Sequence, residues 1–204
     1  MHGLDGDRVR RALDVWVSAS VLAASAPLIG GIALAVKVDS PGPVFFGHQR
    51  VGRGWRPFRV WKFRTMVDGA DKRGPTITAD GDCRVTRVGR ILRATKLDEL
   101  PQLWNVLTGE MSLVGPRPEV AKYAELFRSD YEEILKVRPG LTDPATLMYR
   151  SEEALLGQAV DVEEMYAAEV LPCKIELSKA YLRKRGLRTD LSILVRTLVR
   201  IVAP

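Results

Sequence analysis

Cysteine and histidine are both scarce in this 204-residue sequence: Cys83 and Cys173, His2 and His48. Two cysteines exclude a disulfide scaffold and a multi-cysteine zinc site. Two histidines argue against a histidine-rich metal centre or an internal proton shuttle. No glycine-rich phosphate loop, HExxH pair or GxSxG elbow is present. Their absence argues against the common nucleoside-triphosphatase, zinc-protease and hydrolase classes. There is no internal repeat and no low-complexity tract. Apolar residues make up 46% of the chain, which excludes a disordered polymer and suffices for a core.

Charge is plentiful but segregated. The net charge is +6, and the basic pI suggests an anionic partner: nucleic acid, a membrane surface or a phosphorylated substrate. Residues 1–44 balance, 45–97 carry +9, 98–171 carry −9 and 172–204 carry +6. A uniform polyanion binder would not need this alternation.

Residues 15–36 contain no charge, long enough to cross a bilayer core. Three readings compete: a spanning helix, a cleaved signal peptide and a segment that enters one leaflet and returns. Arg8, Arg10 and Arg11 before the run and Ala24-Ser25-Ala26 within it resemble a signal peptide. Pro27 removes a backbone donor and should bend or break a helix, with Ser25 available to a freed carbonyl. Basic flanks on both sides oppose simple spanning.

Ser40-Pro41-Gly42-Pro43 marks a break. Residues 44–46 and 58–63 read as strands of a hairpin around Gly52-Arg53-Gly54-Trp55. Helices are expected at 85–95, 97–107 (ended by Gly109), 119–136 and 151–184, the last interrupted at Pro172. Asp190 reads as the N-cap of a final helix with Leu191, Leu194, Val195, Leu198, Val199 and Val202 on one face. Helix dominates, so a doubly wound sheet is not expected.

Arg84, Arg87, Arg90, Arg93 and Lys96 recur every third residue with no acid between them. They form either a solvated face or a face for phosphates and head groups. Asp98-Glu99 follows at once. It reads either as a helix start or as a pair of reactive carboxylates. With Arg93 and Lys96 beside it, Asp98 is expected to have a depressed pKa. An ionised aspartate can attack phosphorus or hold Mg²⁺ together with substrate phosphates. Arg117, between Pro116 and Pro118, is a guanidinium on a restricted backbone. Arg138 and Arg150 are further candidates.

Taken in order, these segments resemble one family. Arg10-Arg11-Ala12-Leu13-Asp14, Ala26-Pro27, Ser40-Pro41-Gly42-Pro43-Val44-Phe45, Lys62-Phe63-Arg64-Thr65-Met66 and Thr86-Arg87-Val88-Gly89 come first. Leu97-Asp98-Glu99-Leu100-Pro101-Gln102-Leu103, Gly115-Pro116-Arg117-Pro118 and Arg138-Pro139-Gly140-Leu141-Thr142 are the most specific. The chain is identified as a member of the small monotopic bacterial phosphoglycosyl transferases, a resemblance running from about Arg10 to the C-terminus.

That resemblance implies a mainly α fold with a short β-hairpin, a re-entrant membrane helix in 1–40 and a membrane-associated catalytic domain in 41–204. The break would fall at Ser25, Ala26 and Pro27. It implies transfer of a sugar 1-phosphate from a UDP-sugar to undecaprenyl phosphate, with release of UMP. This would be the first membrane step of bacterial glycan assembly, at the cytoplasmic face of the inner membrane. Asp98 would be the nucleophile, through an aspartyl-phosphosugar intermediate, and a ligand of the cofactor Mg²⁺. Glu99 would assist by positioning or proton handling. Arg93, Arg117 and Arg150 would hold substrate phosphate, and inner-membrane lipid would be a partner. The C-terminal helix, preceded by Arg183, Lys184, Arg185 and Arg188, would lie at the interface.

Two segments depart from the family pattern. Ala26-Pro27 replaces a frequent Ser-Pro, and Asp143-Pro144-Ala145 replaces a frequent Gly-Trp or Gly-Leu run, leaving the sugar open. Two other classes compete. One is a membrane-anchored nucleic-acid module using Trp55, Phe58, Trp61 and Phe63 among basic residues. The other is an adaptor on anionic lipid. The resemblance implies no nucleic-acid partner.

Overall fold

The computed structural model describes residues 2–70, 74, 77–79, 81–149 and 152–202. Alanine, the best helix former, is the commonest residue of the charge-free run. The result is α1, His2–Asp39, of which Gly6–Asp39 is long and apolar enough to cross a membrane. The helix passes through Pro27 and is not divided into two there. Ser25 Oγ donates to the Val21 carbonyl at 2.6 Å, the i−4 bond of a serine inside a helix. It therefore does not serve Ala23, the carbonyl that Pro27 leaves without a donor.

One face of α1 packs on the rest of the protein. Asp14, Ser18, Ile32 and Val36 are buried along it, but no residue of 19–28 is buried. The two ends are held by different elements of the same body. Near the N-terminus, Arg11 donates to the carbonyls of Val106 at 2.5 Å and Leu107 at 2.7 Å. Asp14 accepts from Ser112 Oγ at 2.8 Å and from the Leu113 amide at 3.0 Å. Near the C-terminus, Ile32 and Val36 pack with Phe63 and Leu92. The buried Arg64 caps this end by donating to the carbonyls of Ser40 (2.8 Å) and Pro41.

The expected hairpin forms from β1 (Phe45–Val51) and β2 (Pro57–Phe63), antiparallel, with Phe45 opposite Phe63 and Val51 opposite Pro57. After it come α2 (Arg87–Thr95), capped by Thr86 Oγ1, a one-turn 3₁₀ helix Leu97–Glu99, and α3 (Gln102–Thr108). Lys96, in the left-handed region at φ 58°, separates α2 from the turn, and 97–107 is not one helix because it is divided at Leu100-Pro101, where proline lacks the amide a continuing helix needs. Gly109, at φ 86°, ends α3 as expected.

A second sheet was not anticipated. β3 (Ser112–Val114) and β4 (Gly140–Thr142) pair in parallel, Ser112 with Gly140 and Val114 with Thr142. Gly140 has to be glycine, because a Cβ there would lie 2.1 Å from the Gly115 nitrogen. The expected helix at 119–136 is two, α4 (Ala121–Leu126) and α5 (Arg128–Ile134), broken at Phe127.

The C-terminal part comprises α6 (Pro144–Met148), α7 (Glu152–Leu156), α8 (Val162–Met165), α9 (Leu171–Arg183) and α10 (Leu187–Val202). A π turn, Tyr166–Val170, joins α8 to α9 without a break. Pro172 falls in the first turn of α9 and interrupts nothing; the irregularity lies just before it, as the wider π turn. Asp190 is not an N-cap. It lies inside α10, buried, and accepts from Arg10 Nε at 2.8 Å and from the Tyr181 hydroxyl at 2.8 Å. Leu191, Val195, Leu198 and Val199 of α10 are exposed and Leu194 packs against the core, so most of the predicted apolar stripe faces outward.

Candidate active site

The left-handed Lys96 ends α2 and leads into the turn that carries Asp98 and Glu99. Asp98 is 6% exposed. Its Oδ2 lies 3.8 Å from Lys62 Nζ on β2. Its Oδ1 is buried with no hydrogen-bond partner. A buried carboxylate oxygen without a donor is costly and needs a reason.

Glu99 is the opposite case. Its Oε1 accepts from Lys62 Nζ at 2.7 Å and from Arg117 Nη2 at 2.5 Å, and its Oε2 lies 3.4 Å from Arg117 Nη1. Burial alone would raise its pKa. The charges and hydrogen bonds of Arg117 and Lys62 outweigh burial and hold it well below the usual carboxylate range. Glu99 in turn raises the pKa of Arg117. For Asp98 burial dominates, and the charge of Glu99 adds to it. Together they raise its pKa against the opposing pull of Lys62, Lys96 and Arg93. The expected depression of Asp98 is therefore reversed, because loss of water outweighs its basic neighbours.

Arg117 is placed by its loop. Its amide donates to Asp143 Oδ2 at 3.3 Å, and Asp143 Oδ1 accepts from the Thr146 amide at 2.7 Å. The fully buried Asp143 thus caps α6 and holds the Arg117 backbone with one carboxylate. Beyond Pro118, Glu119 is also buried. It accepts from Arg50 Nη1 at 2.8 Å and from the Tyr166 hydroxyl at 2.5 Å.

Of the site residues expected from the sequence, Asp98, Glu99 and Arg117 meet. Arg93 does not touch the pair. Its Nε donates to Thr65 Oγ1 at 2.9 Å and its Nη1 to Glu153 at 3.1 Å, and only its charge reaches Asp98. Arg150 lies outside the described residues. Ser25, Ala26 and Pro27 sit in the unburied middle of α1. Among the described residues no group of three or more His, Cys, Asp or Glu side chains converges on a metal-sized point.

The site residue that sequence reasoning missed is Lys62, the cation shared by both carboxylates. Its signal was a lysine between Trp61 and Phe63 in an apolar strand. Asp143 was likewise seen only as a departure from a pattern.

A sequence model of the family described as bacterial sugar transferase matches residues 6–204. This chain belongs to the bacterial sugar transferase family. A UDP-glucose:undecaprenyl-phosphate glucose-1-phosphate transferase of Caulobacter vibrioides is 42% identical over 196 residues, 94% of this chain and 68% of that protein. A UDP-N-acetylgalactosamine-undecaprenyl-phosphate N-acetylgalactosaminephosphotransferase of Aeromonas hydrophila is 36% identical over 195 residues, 93% of this chain and 43% of the relative. A UDP-glucose:undecaprenyl-phosphate glucose-1-phosphate transferase of Escherichia coli is 37% identical, over 94% of this chain and 40% of the relative. This bacterial sugar transferase chain thus spans about two fifths of the Aeromonas and Escherichia relatives.

Proposed function

We propose that this chain transfers a sugar 1-phosphate from a UDP-sugar to undecaprenyl phosphate, releasing UMP. The observation that carries this reading is the unpartnered Asp98 Oδ1, buried beside a Glu99 that two cations neutralise. An Asp98 oxygen attacks the β-phosphorus, which bears the sugar. The bond from that phosphorus to the bridging oxygen breaks, and UMP leaves with the electron pair. A phosphate oxygen of undecaprenyl phosphate then attacks the same phosphorus, and Asp98 departs as carboxylate. Glu99 fixes Lys62 and Arg117, and their charge faces the anionic diphosphate. Arg93, released from Glu153, adds a further guanidinium.

The donor chemistry also fits Mg²⁺. Asp98 would hold the ion with the diphosphate and water, the usual shared arrangement for this cation. The ion would neutralise charge on the diphosphate.

The membrane reading rests on α1. Both its ends are held by one body, and its unburied middle, 19–28, carries no charge. A helix whose two ends touch one water-facing body cannot place them on opposite faces of a bilayer. This favours both flanks of residues 1–40 on one side of the membrane, as re-entry through a bend of the continuous helix requires, and the basic flanks favour the cytoplasmic face of the inner membrane for the catalytic domain, 41–204. The outward apolar stripe of α10 suits the same interface. The nucleic-acid alternative loses two of its stacking platforms, because Phe58 and Phe63 are buried.

The test is UMP release by purified protein with Mg²⁺, undecaprenyl phosphate and a panel of UDP-sugars. At least one sugar should give UMP, and Asp98→Asn should lower the rate by about 10³-fold or more. Absence of UMP with every sugar, or an Asp98→Asn variant as active as the parent, overturns the reading.

A further inference from the structure

The hairpin turns over at Arg53–Trp55, and its tip packs against the end of α5. The Gly54 amide donates to the Leu135 carbonyl at 2.8 Å and fixes this junction. Between tip and helix lies a cavity of about 320 Å³, lined by Arg53, Gly54, Trp55, Arg128, Glu132, Leu135 and Lys136. It shares no lining residue with the Asp98–Glu99 site, and its size is at the lower end of small-ligand sites.

Three of the lining residues are cations and one is an acid. Arg128 is already engaged. It lies 4.8 Å over the Trp55 ring and pairs with Glu125 at 2.6 Å and Glu132 at 3.8 Å. Arg53 and Lys136 have no ion-pair partner among the described residues. Both line the cavity and are exposed to solvent. More positive charge stands behind them. Arg138 Nε donates to the Gly109 carbonyl at 2.8 Å, beside the carbonyls that Arg11 caps. Burial, Arg11 and Arg53 together lower the pKa of Arg138, so these guanidinia repel one another.

The backbone is also forced here. Trp55 has φ 62°, in the left-handed region that a bulky L-residue disfavours. The Trp55 ring lies under the Arg128 guanidinium, and Arg53 is exposed two residues before it. Uncompensated cations around a concave surface, flanked by an aromatic ring, are the chemistry of a phosphate site.

We propose that this cavity binds the phosphate group of an anionic ligand, held by Arg53 and Lys136 against the Trp55–Arg128 pair. The phosphate could come from an acidic phospholipid head group or from a soluble phosphate compound, and the experiment separates the two sources. The site does not depend on the transfer reaction proposed above.

Thermal unfolding of the purified full chain in neutral detergent tests it. One arm adds inorganic phosphate, and another adds dioctanoyl phosphatidylglycerol. Sodium chloride at matched ionic strength and dioctanoyl phosphatidylcholine serve as controls. At ten times the dissociation constant, a bound ligand should raise Tm by about 3–6 °C above the controls. A rise with phosphatidylglycerol alone assigns the lipid head group, and a rise with inorganic phosphate assigns a soluble ligand. The rise should vanish in the Arg53→Gln/Lys136→Gln double variant and persist in Arg53→Lys/Lys136→Arg. The double variant should keep the parental Tm without ligand, which shows that it folds. No rise above the controls in either arm, or an equal rise in the double glutamine variant, overturns the proposal.

Discussion

Asp98 and Glu99 are adjacent and chemically alike, yet their surroundings treat them differently. Glu99 takes the direct contacts of Lys62 and Arg117, and Asp98 keeps an oxygen free. The division follows from reach. Lys62 is 2.7 Å from Glu99 but 3.8 Å from Asp98. A point charge at Arg117 would not reproduce the fork that grips both oxygens of Glu99. Arg117→Lys should therefore fold but lose about 10–100-fold in kcat/KM, read from UMP release with UDP-sugar varied. An unchanged kcat/KM would mean that the guanidinium does not serve the substrate. Lys62→Met removes one of the two cations on Glu99 and leaves Arg117 in place. Its side chain is partly exposed, so the stability loss should be modest, about 1–2 kcal/mol by urea unfolding. UMP release should fall much further than that loss accounts for.

The elements around the site work as clamps. Glu119 ties β1, through Arg50, to the π turn, through Tyr166, two residues beyond Arg117. Removing this buried acid takes from Arg50 its ion-pair partner and from the Tyr166 hydroxyl its acceptor. Glu119→Ala should cost about 3 kcal/mol in chemical unfolding, because a partly buried charge loses its partner. α1 is clamped twice, at Arg11 and Asp14 and again at Arg64. If both clamps hold in the membrane, both flanks lie on one side. After replacement of the exposed Cys83 and Cys173 by serine, single cysteines at the exposed Arg8 and Asp68 report this. Impermeant maleimide should label both from the cytoplasmic side only. Labelling of either from outside would mean that α1 spans.

Across the whole molecule, all five tyrosines, Tyr123, Tyr131, Tyr149, Tyr166 and Tyr181, have raised pKa values, with burial the largest cause in each. Tyr123 and Tyr149 are pushed up to about 12. The sign is fixed by linkage. Above about pH 10 the unfolded chain sheds phenolic protons that the folded chain keeps, so stability falls as pH rises. The urea midpoint should be flat from pH 8 to 9.5 and drop from pH 10 to 12. Tyrosinate absorbance should rise with unfolding and not before it; a full rise in the folded protein near pH 10 would contradict the burial.

The whole molecule also shows what could be read from residues alone. The hairpin was legible because alternating apolar residues flank a glycine turn. The stop at Gly109 was legible from short-range pattern, whereas Asp98, Glu99 and Arg117 were legible as one site only through the family resemblance of their motifs. Lys62 was not, because its partners are far along the chain. Asp190 looked like a cap because its true partner, Arg10, is 180 residues away. The β3–β4 pair was hidden by strands of three residues, too short for a period. The raised pKa of Asp98 was hidden because sequence shows neighbouring charges but not exclusion of water.

In the proposed mechanism Asp98 carries the sugar phosphate between donor and acceptor. The protein would be mixed with a turned-over UDP-sugar and Mg²⁺, without undecaprenyl phosphate, and quenched in acid. Peptide mass spectrometry should find the sugar-phosphate adduct on Asp98 and release of UMP in at most stoichiometric amount. An adduct on another residue, or full turnover by the complete system with no adduct formed, would contradict it.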